Sequence, residues 1–397
     1  MPHLDEALLD DAAHLAARDS RQTLRALATA GAQVREAMTL SQDARIERVA
    51  GGERPRSVLV ASLGGSAVVA DVLDMLAEPR SPVPVAIRRN APLPGWVGPL
   101  DLVVAVSLSG RARGPLAVVA EAVRRGASLM TVGAADSPLA ELCARGRGIH
   151  VDVGRDRISS RTALWSLLTP VLVASHALGI LEASAATLAA TADRLDEQAE
   201  ACRPSSEAFV NPAKALALQL ADTVPMVLGD GPLSGVAARR AASMLARTAR
   251  VPATHGELPD AASQVVATFD GPFTAGGGES TGLPTAGRDI FADPFLDGPA
   301  QTGLGLLVVR DAPTAAEGPV ADDLSALTDA VVATADEAGV RVATITAEPG
   351  HPLARLAGQM ALADFMATYL AIGFGIDPAV SRHLTALRDH TERHGLS

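Results

Sequence analysis

The sequence has only two cysteines and no long apolar run, and each shortage excludes a class of protein. The spacing of Cys143 and Cys202 fits neither a CxxC motif nor a disulfide framework, so we expect two small buried side chains and no structural zinc. No stretch reaches the roughly 18 consecutive apolar residues typical of a membrane-spanning helix. The N-terminus, MPHLDEALLDDAAHLAARD, is acidic and amphipathic, unlike a secretory signal. We therefore expect a cytoplasmic protein without a membrane partner.

Positive charge is also scarce. The 397 residues carry 34 Lys+Arg against 45 Asp+Glu, a net charge of −11, which excludes a generally basic surface for nucleic acid. With 48% hydrophobic and 20% charged residues, the chain can bury large cores, and its length suggests about two or three domains. We expect two.

Lysine is nearly absent, because Lys214 is the only lysine in the chain. An ammonium differs from a guanidinium in shape and hydration, so a single lysine among arginines hints at selection for the ammonium. Chance survival on a helix surface explains it equally well.

The pattern of apolar residues indicates two related α/β halves. Residues 4–16 and 20–38 have helical spacing, whereas from residue 57 continuous apolar runs alternate with helix-length segments, a pattern typical of a doubly wound parallel sheet. A second series of the same kind begins at residue 224. We therefore predict an α/β protein with an N-terminal helical extension at 1–45, a first domain at 46–205 and a second at 206–397, the last containing a loop at 269–302.

Two loops of the first domain carry groups that suit an anion. The strand at 57–62 ends in Gly64, Gly65 and Ser66, which would place backbone N–H groups at the positive end of a helix dipole. Alone this signal is weak, because any tight strand-to-helix turn favours glycine. The spacing does not match the GxGxxG dinucleotide motif.

The second loop, SLSGRARG, follows the strand at 102–106 and contains Ser107 and Ser109. Ligands of open α/β sheets bind at the carboxyl ends of the strands. Two hydroxyls beside the Gly-Gly-Ser turn could therefore share one phosphate. The alternative is that both serines cap the next helix.

Six segments together resemble a known family. They are SLGGSAVVADVL, VVAVSLSG, SSRTALWSLLTP, NPAKALA, VPATHGELPDAASQVV and YLAIGFGIDPAVSRHLTALR. In this order they resemble the bifunctional phosphoglucose/phosphomannose isomerases, especially the actinobacterial branch labelled TobH-like. The resemblance covers most of the chain from about residue 57.

The resemblance implies two tandem flavodoxin-like sugar-isomerase (SIS) domains with parallel sheets. It also implies a homodimer and a hexose 6-phosphate site between the domains. The phosphate-loop positions of the family correspond to four residues here: Gly65, Ser66, Ser107 and Ser109.

A position near the sugar corresponds to Arg161, whose alternative role is that of a solvated residue at a helix start. The sequence departs from the family where Ala112, after Arg111, replaces a threonine. One hydroxyl donor is thereby lost, which lowers phosphate affinity unless the charge of Arg111 replaces it.

The family's reacting groups are a glutamate base and a histidine that opens the sugar ring, and neither is present at its expected position. The matching positions are Arg247 and Ser263. Arginine cannot act as a base near neutral pH, and serine without an activating partner is a poor proton carrier. Arg247 would instead present a fixed cation to an anionic ligand.

Nearby polar residues offer a replacement for the missing groups. His255, Glu257 and Asp260 lie within a few residues of the altered segment, and we weigh a relocated acid and base against an ordinary solvated turn. Lys214 and Arg388 match segments near the sugar and could add positive charge there. Arg388 also fits a solvated residue near the end of the chain.

We therefore expect a hexose 6-phosphate-binding protein with weak or no isomerase activity. An active mannose/glucose 6-phosphate isomerase with relocated groups is the first alternative, and a dimeric interaction scaffold is the second. Neither a metal nor an organic cofactor is implied.

Overall fold

The computed structural model describes residues 4–154, 157, 159–274, 303–312 and 319–393. The chain forms two compact units. The first-sheet unit comprises Arg25–Glu197 and Ser381–Ser397, and the second-sheet unit comprises Met1–Leu24 and Gln198–Val380. The predicted domain boundaries, at 45 and 205, stay predictions. Most of the predicted loop at 269–302, from residue 275 onward, lies outside the described residues.

Helices occupy much of the described chain. In chain order they are α1 (Glu6–Asp10), α2 (Ala12–Arg18), α3 (Thr23–Ala28), α4 (Ala30–Asp43), α5 (Ala67–Ala77), α6 (Arg113–Arg125), α7 (Pro138–Arg145), α8 (Leu164–Ala177), α9 (Ala185–Ala201), α10 (Pro212–Leu220), α11 (Pro232–Met244), α12 (Ala262–Ala267), α13 (Pro319–Glu337), α14 (Pro352–Gly373) and α15 (Arg382–Arg393). The predicted N-terminal helical pair is divided among α1 to α4.

The first-sheet unit is built on a five-stranded parallel sheet. Its strands are β1 (Val58–Ser62), β2 (Val85–Arg88), β3 (Leu102–Ser107), β4 (Ser128–Gly133) and β5 (Ile149–Asp152). Their order is β2-β1-β3-β4-β5, the order of flavodoxin-like folds. Every residue of β1 and β3 is buried, because helices cover both faces, and this explains their continuous apolar sequence.

The second-sheet unit repeats this plan with four parallel strands. They are β6 (Thr223–Gly229), β7 (Thr254–Glu257), β8 (Gly303–Arg310) and β9 (Arg341–Thr346), in the order β7-β6-β8-β9. The predicted α/β class with two parallel sheets is therefore confirmed. The sequence pattern did not indicate β7, because this short edge strand is polar and largely exposed.

Helix α14 is the central helix of the second-sheet unit. Its length and hydropathy would suit a membrane span, but 89% of its apolar stretch is buried within the protein, as in the core helix of a soluble protein. One buried ion pair fixes α14 against α11, where the Arg240 guanidinium donates to both carboxylate oxygens of Asp364 at 2.6–3.1 Å. Both charges are buried, and burying a charge is unfavourable. The bidentate hydrogen bonds offset this desolvation cost.

Candidate functional site

The two predicted anion loops are neighbours in the first-sheet unit. Strands β1 and β3 are parallel neighbours, with Ser62 opposite Val106. The loops that follow the two strands therefore begin at the same edge of the sheet. After β1 comes a 3-10 turn at Gly64–Ser66, which leads into α5. After β3 comes the loop with Ser109, which leads into α6. The structure therefore brings Gly65, Ser66, Ser107 and Ser109 to one edge.

Neither α5 nor α6 begins with a side-chain cap. Ser66 is the residue before α5, but its hydroxyl donates to the Leu63 carbonyl at 2.9 Å instead. Ala112 occupies the same position before α6 and has no side chain that can cap. The capping role considered for Ser107 and Ser109 is therefore not the arrangement found. The first turns of both helices therefore have no side-chain partner for their N–H groups, although the Ala67 N–H of α5 donates to the Gly64 carbonyl.

Arg161 lies beside the first loop. A Cβ atom at Gly65 would clash with the Ser160 hydroxyl and would lie 3.5 Å from Arg161 Cγ. The segment carrying Arg161 therefore covers the Gly65 backbone closely, and a larger residue at position 65 would displace the Ser160 side chain. This contact places the predicted sugar residue next to the predicted phosphate residue within the same unit.

The second loop also has little freedom. Gly110 has φ +61°, a left-handed conformation that favours glycine. A Cβ there would also clash with the side chain of Ser137, which caps α7. Ser107 is buried, whereas Ser109 and Arg111 are exposed. The Ser109 hydroxyl accepts the Arg111 N–H at 3.3 Å, so the loop forms a compact turn with its hydroxyl and cation at the rim.

Arg247 lies in the second-sheet unit, in a π-helical turn at Leu245–Ala249 that directly follows α11. Such turns are rare and often occur at functional sites. The side chain of Arg250 holds the turn, donating to the carbonyls of Arg247, Thr248 and, at 2.9 Å, Val380. Arg247 is exposed. No local pattern marks Arg250 as an anchor, because its partner Val380 lies 130 residues away.

His255 and Glu257 share one face of β7, since alternate residues of a strand point the same way. Both are exposed. Glu257 pairs in register with Gly229 at the carboxyl end of β6, and a Cβ at Gly235 of α11 would lie 2.9 Å from Glu257 Cδ. The Glu257 carboxylate is therefore at the carboxyl edge, against the first turn of α11.

Asp260 and Ser263 lie beyond β7. Asp260 is in the turn that follows the strand, and Ser263 is in the first turn of α12. Both are exposed. Among the hydrogen bonds of the described residues, none joins either side chain to a group that could activate it.

Lys214 has a different role from the predicted one. Its side chain is fully buried, and its ammonium donates to Asp10 Oδ1 at 2.9 Å and to the carbonyls of Pro204 and Ser206 at 3.0 and 2.7 Å. It also lies 5.6 Å from the centre of the Tyr369 ring, within cation–π range. All three protons are thus used inside the second-sheet unit. Neither sugar contact nor a solvated helix surface describes this lysine.

The ion pair with Lys214 changes the pKa of Asp10. Partial burial opposes its ionisation, but the hydrogen bonds from Lys214 and the Ala208 N–H outweigh burial and lower the pKa of Asp10. Arg388, the other predicted cation, lies in α15, and its side chain is outside the part that the structure describes. Its contact with the sugar stays a prediction.

Sequence reasoning missed a polar cluster at the carboxyl edge of the second sheet. Asp230 follows β6 and accepts the Asp311 N–H at 2.7 Å. Burial raises the pKa of Asp230 to about 6, although hydrogen bonds from Asp311 and Ser234 oppose the rise. Arg355 pairs with the Asp311 carboxylate at 2.8–2.9 Å. The segment GDGPLSG, beginning at Gly229, was the signal for this cluster.

This edge therefore differs from that of the first sheet. The carboxylates of Asp230 and Asp311 lie at the carboxyl edge of the second sheet. The same edge of the first sheet has backbone N–H groups and serine hydroxyls. Over the described ranges, no three His, Cys, Asp or Glu side chains are grouped so that they could hold a metal ion.

Comparison with known proteins identifies the second half of the chain. Residues 209–390 match the family described as the bacterial phospho-glucose isomerase C-terminal SIS domain. This half is a SIS domain of the bacterial phosphoglucose isomerase family. A bifunctional phosphoglucose/phosphomannose isomerase of Caldicellulosiruptor bescii is 26% identical over 196 residues, 49% of this chain and 57% of that protein. The match thus spans little more than half of that relative's length.

Solved structures extend the likeness to both units, as a likeness of fold alone. A hypothetical protein of Thermus thermophilus has a TM-score of 0.68 at 15% identity and covers 100% of this chain and 98% of its own. The C-terminal domain of glucosamine-fructose-6-phosphate aminotransferase from Francisella tularensis has a TM-score of 0.59 at 13% identity, covering 90% and 97%. Glucosamine-6-phosphate deaminase from Thermotoga maritima gives 0.56 at 12%, covering 87% and 97%.

The family recognised from six sequence segments is thereby confirmed. Its actinobacterial branch, the homodimer and the roles of the individual SIS-domain residues stay predictions.

Proposed function

We propose that this protein binds a hexose 6-phosphate, with the phosphate held by the loops after β1 and β3. One observation carries the proposal. Two neighbouring parallel strands each end in a glycine- and serine-rich loop that leads into a helix without a side-chain cap. Uncapped N–H groups at the positive end of a helix dipole are the usual partners of a phosphate.

Local groups determine the field at this edge more than the net charge of −11 does. Arg161 lies beside Gly65, and the hydroxyls of Ser107 and Ser109 can donate short bonds to phosphate oxygens. A site lined by one sign of charge concentrates ligands of the other sign even on an acidic protein.

We further propose that isomerisation is weak or absent. Aldose–ketose isomerisation needs a base that carries a proton between C1 and C2 of the sugar. Arg247 and Ser263 occupy the positions at which relatives are expected to carry the base and the ring-opening histidine, and neither side chain performs that chemistry near neutral pH. Arg247 offers an anionic ligand a fixed charge instead.

A second candidate function is an active glucose/mannose 6-phosphate isomerase that uses relocated groups. The observation in its favour is that His255 and Glu257 share one face of β7, with the Glu257 carboxylate exposed at the carboxyl edge. A carboxylate and an imidazole on one face are the pair that proton transfer and ring opening require.

Binding and turnover are tested separately. Calorimetric titration with glucose 6-phosphate should give a signal that the Ser107→Ala/Ser109→Ala variant loses. The matched control is Ser128→Ala, the same change at the opposite end of the same sheet, where Ser128 begins β4 and is exposed; it should bind like wild type. Equal binding by all three proteins would refute the proposed site.

The second assay incubates the protein with fructose 6-phosphate in heavy water. The first proposal expects no solvent deuterium at C1 or C2 above the protein-free rate. Incorporation at an enzymic rate that Glu257→Gln abolishes would establish the isomerase instead. Failure of every phosphosugar to bind at millimolar concentration would favour a dimeric scaffold in the cytoplasm.

A further inference from the structure

Helix α4 holds the short turn that covers the first anion loop, the Arg161 turn (residues 159–162). Gln33 and Glu36 lie three positions apart in α4, so their side chains are neighbours on one face of the helix. Glu36 forms an ion pair with Arg157, which precedes the turn. Gln33 reaches the end of the turn, where its Nε2 atom donates to the Thr162 carbonyl at 2.8 Å. The helix therefore holds the chain before the Arg161 turn and at its last residue.

The Gln33 amide is buried and uses both of its polar atoms. Gln33 is only 2% exposed, and a second bond from Nε2 goes to Thr29 Oγ1 at 3.1 Å, which fixes the orientation of the side chain. Its Oε1 atom accepts from the N–H and the hydroxyl of Ser166 at 3.4 Å, in the first turn of α8. Ala163 precedes α8 without a side-chain cap, so Gln33 supplies part of that cap from another helix. One buried amide thus joins the end of the Arg161 turn to the start of α8.

The Arg161 turn has a defined shape of its own. The Ser159 hydroxyl accepts the Thr162 N–H at 3.3 Å and lies 3.2 Å from the Thr162 hydroxyl, a local bond typical of serine and threonine turns. Ser160 and Arg161 are the two middle residues of this turn. Both lie against Gly65 of the proposed phosphate site, where a Cβ would clash with Ser160. A displacement of Thr162 would therefore move the two residues that cover the anion loop.

Groups that bind a ligand must be held within about 0.5 Å of their working geometry, and neighbours that do not touch the ligand supply this support. We propose that Gln33 is a positioning residue of the phosphate site, which acts on the ligand through the Arg161 turn. Without the Gln33 amide, the turn would lose its fixed position over the Gly65 loop, and Arg161 would reach the ligand in only a fraction of the molecules. The inference rests on the proposed phosphate site and adds to it a support from α4.

A double-mutant cycle separates positioning from a general loss of stability. Glucose 6-phosphate is titrated by calorimetry into wild type, Gln33→Met, Arg161→Gln and the double variant. Methionine keeps the length and the apolar stem of Gln33 but has no amide. Ser41→Ala is the matched control, because Ser41 is a fully buried polar residue of the same helix whose hydroxyl donates to the Ala37 carbonyl within α4. Circular dichroism checks that each variant is folded, and Gln33→Asn, which keeps an amide with a shorter reach, replaces Gln33→Met if that variant does not fold.

Gln33→Met and Arg161→Gln should each weaken binding about tenfold, the loss expected from one charge-assisted hydrogen bond. The double variant should bind like Arg161→Gln alone, and Ser41→Ala should bind like wild type. Unchanged affinity in Gln33→Met or in Arg161→Gln, losses that multiply in the double variant, or an equal loss in Ser41→Ala would overturn this inference alone. Failure of wild type to bind glucose 6-phosphate would overturn the proposed function and this inference with it.

Discussion

Replacing Lys214, the only lysine, should lower the stability of the second-sheet unit without changing the binding of the sugar phosphate. Lys214→Met keeps the apolar stem but removes an ammonium with three hydrogen bonds and leaves two carbonyls without that donor. Breaking a buried ion pair costs about 3–5 kcal/mol. Asp10 keeps contact with water, since its side chain is 32% exposed, so we expect a loss of about 2–4 kcal/mol.

The loss is measured as the free energy of unfolding in urea, and Asp10→Asn tests the same ion pair from its other side. That variant keeps the two carbonyl partners but leaves a fully buried ammonium without its counter-ion, so it should also lose about 2–4 kcal/mol. Folded Lys214→Met protein should bind glucose 6-phosphate like wild type. The reasoning is refuted if the free energy of unfolding of Lys214→Met is unchanged while its sugar-phosphate binding is lost.

Two further predictions concern single residues. Burial raises the pKa of Asp230 from its ordinary 3.8 to about 6, so protonation of Asp230 favours the folded state. The stability that this protonation contributes is lost as the pH rises from about 4 through 6. About two pKa units correspond to at most about 3 kcal/mol, which partial exposure reduces to about 1. Asp230→Asn should therefore raise the urea midpoint at pH 7.5 and not at pH 4, and an equal rise at both would contradict the linkage. Gly65→Ala should abolish binding of glucose 6-phosphate with little change in circular dichroism, because its Cβ would clash with Ser160. Gly98→Ala, where a Cβ meets open space, should bind normally, and binding by Gly65→Ala would show that the loop adapts.

The first sheet and its anion loops were predictable because their signals are local. Strands β1 and β3 are buried throughout, so they appear as continuous apolar runs, and glycines and serines follow each run directly. Because β1 and β3 are parallel neighbours, the loops that follow them lie at the same edge of the sheet.

The remaining features depend on contacts between distant residues. Lys214 is a helix residue of unknown role until Asp10, 204 residues away, becomes its partner. The perturbed pKa of Asp230 arises from burial and from Asp311, which follows another strand. Strand β7 carries polar, exposed residues, so only its pairing with β6 identifies it. A single sequence contains none of these pairings.

The most direct test of the account is a crystal structure of the protein soaked with glucose 6-phosphate. The account predicts density for the phosphate within hydrogen-bond distance of the backbone N–H groups at Gly65 and Ser66 and of the hydroxyls of Ser107 and Ser109. Density for the phosphate elsewhere, with those four residues unoccupied at full ligand saturation, would contradict it.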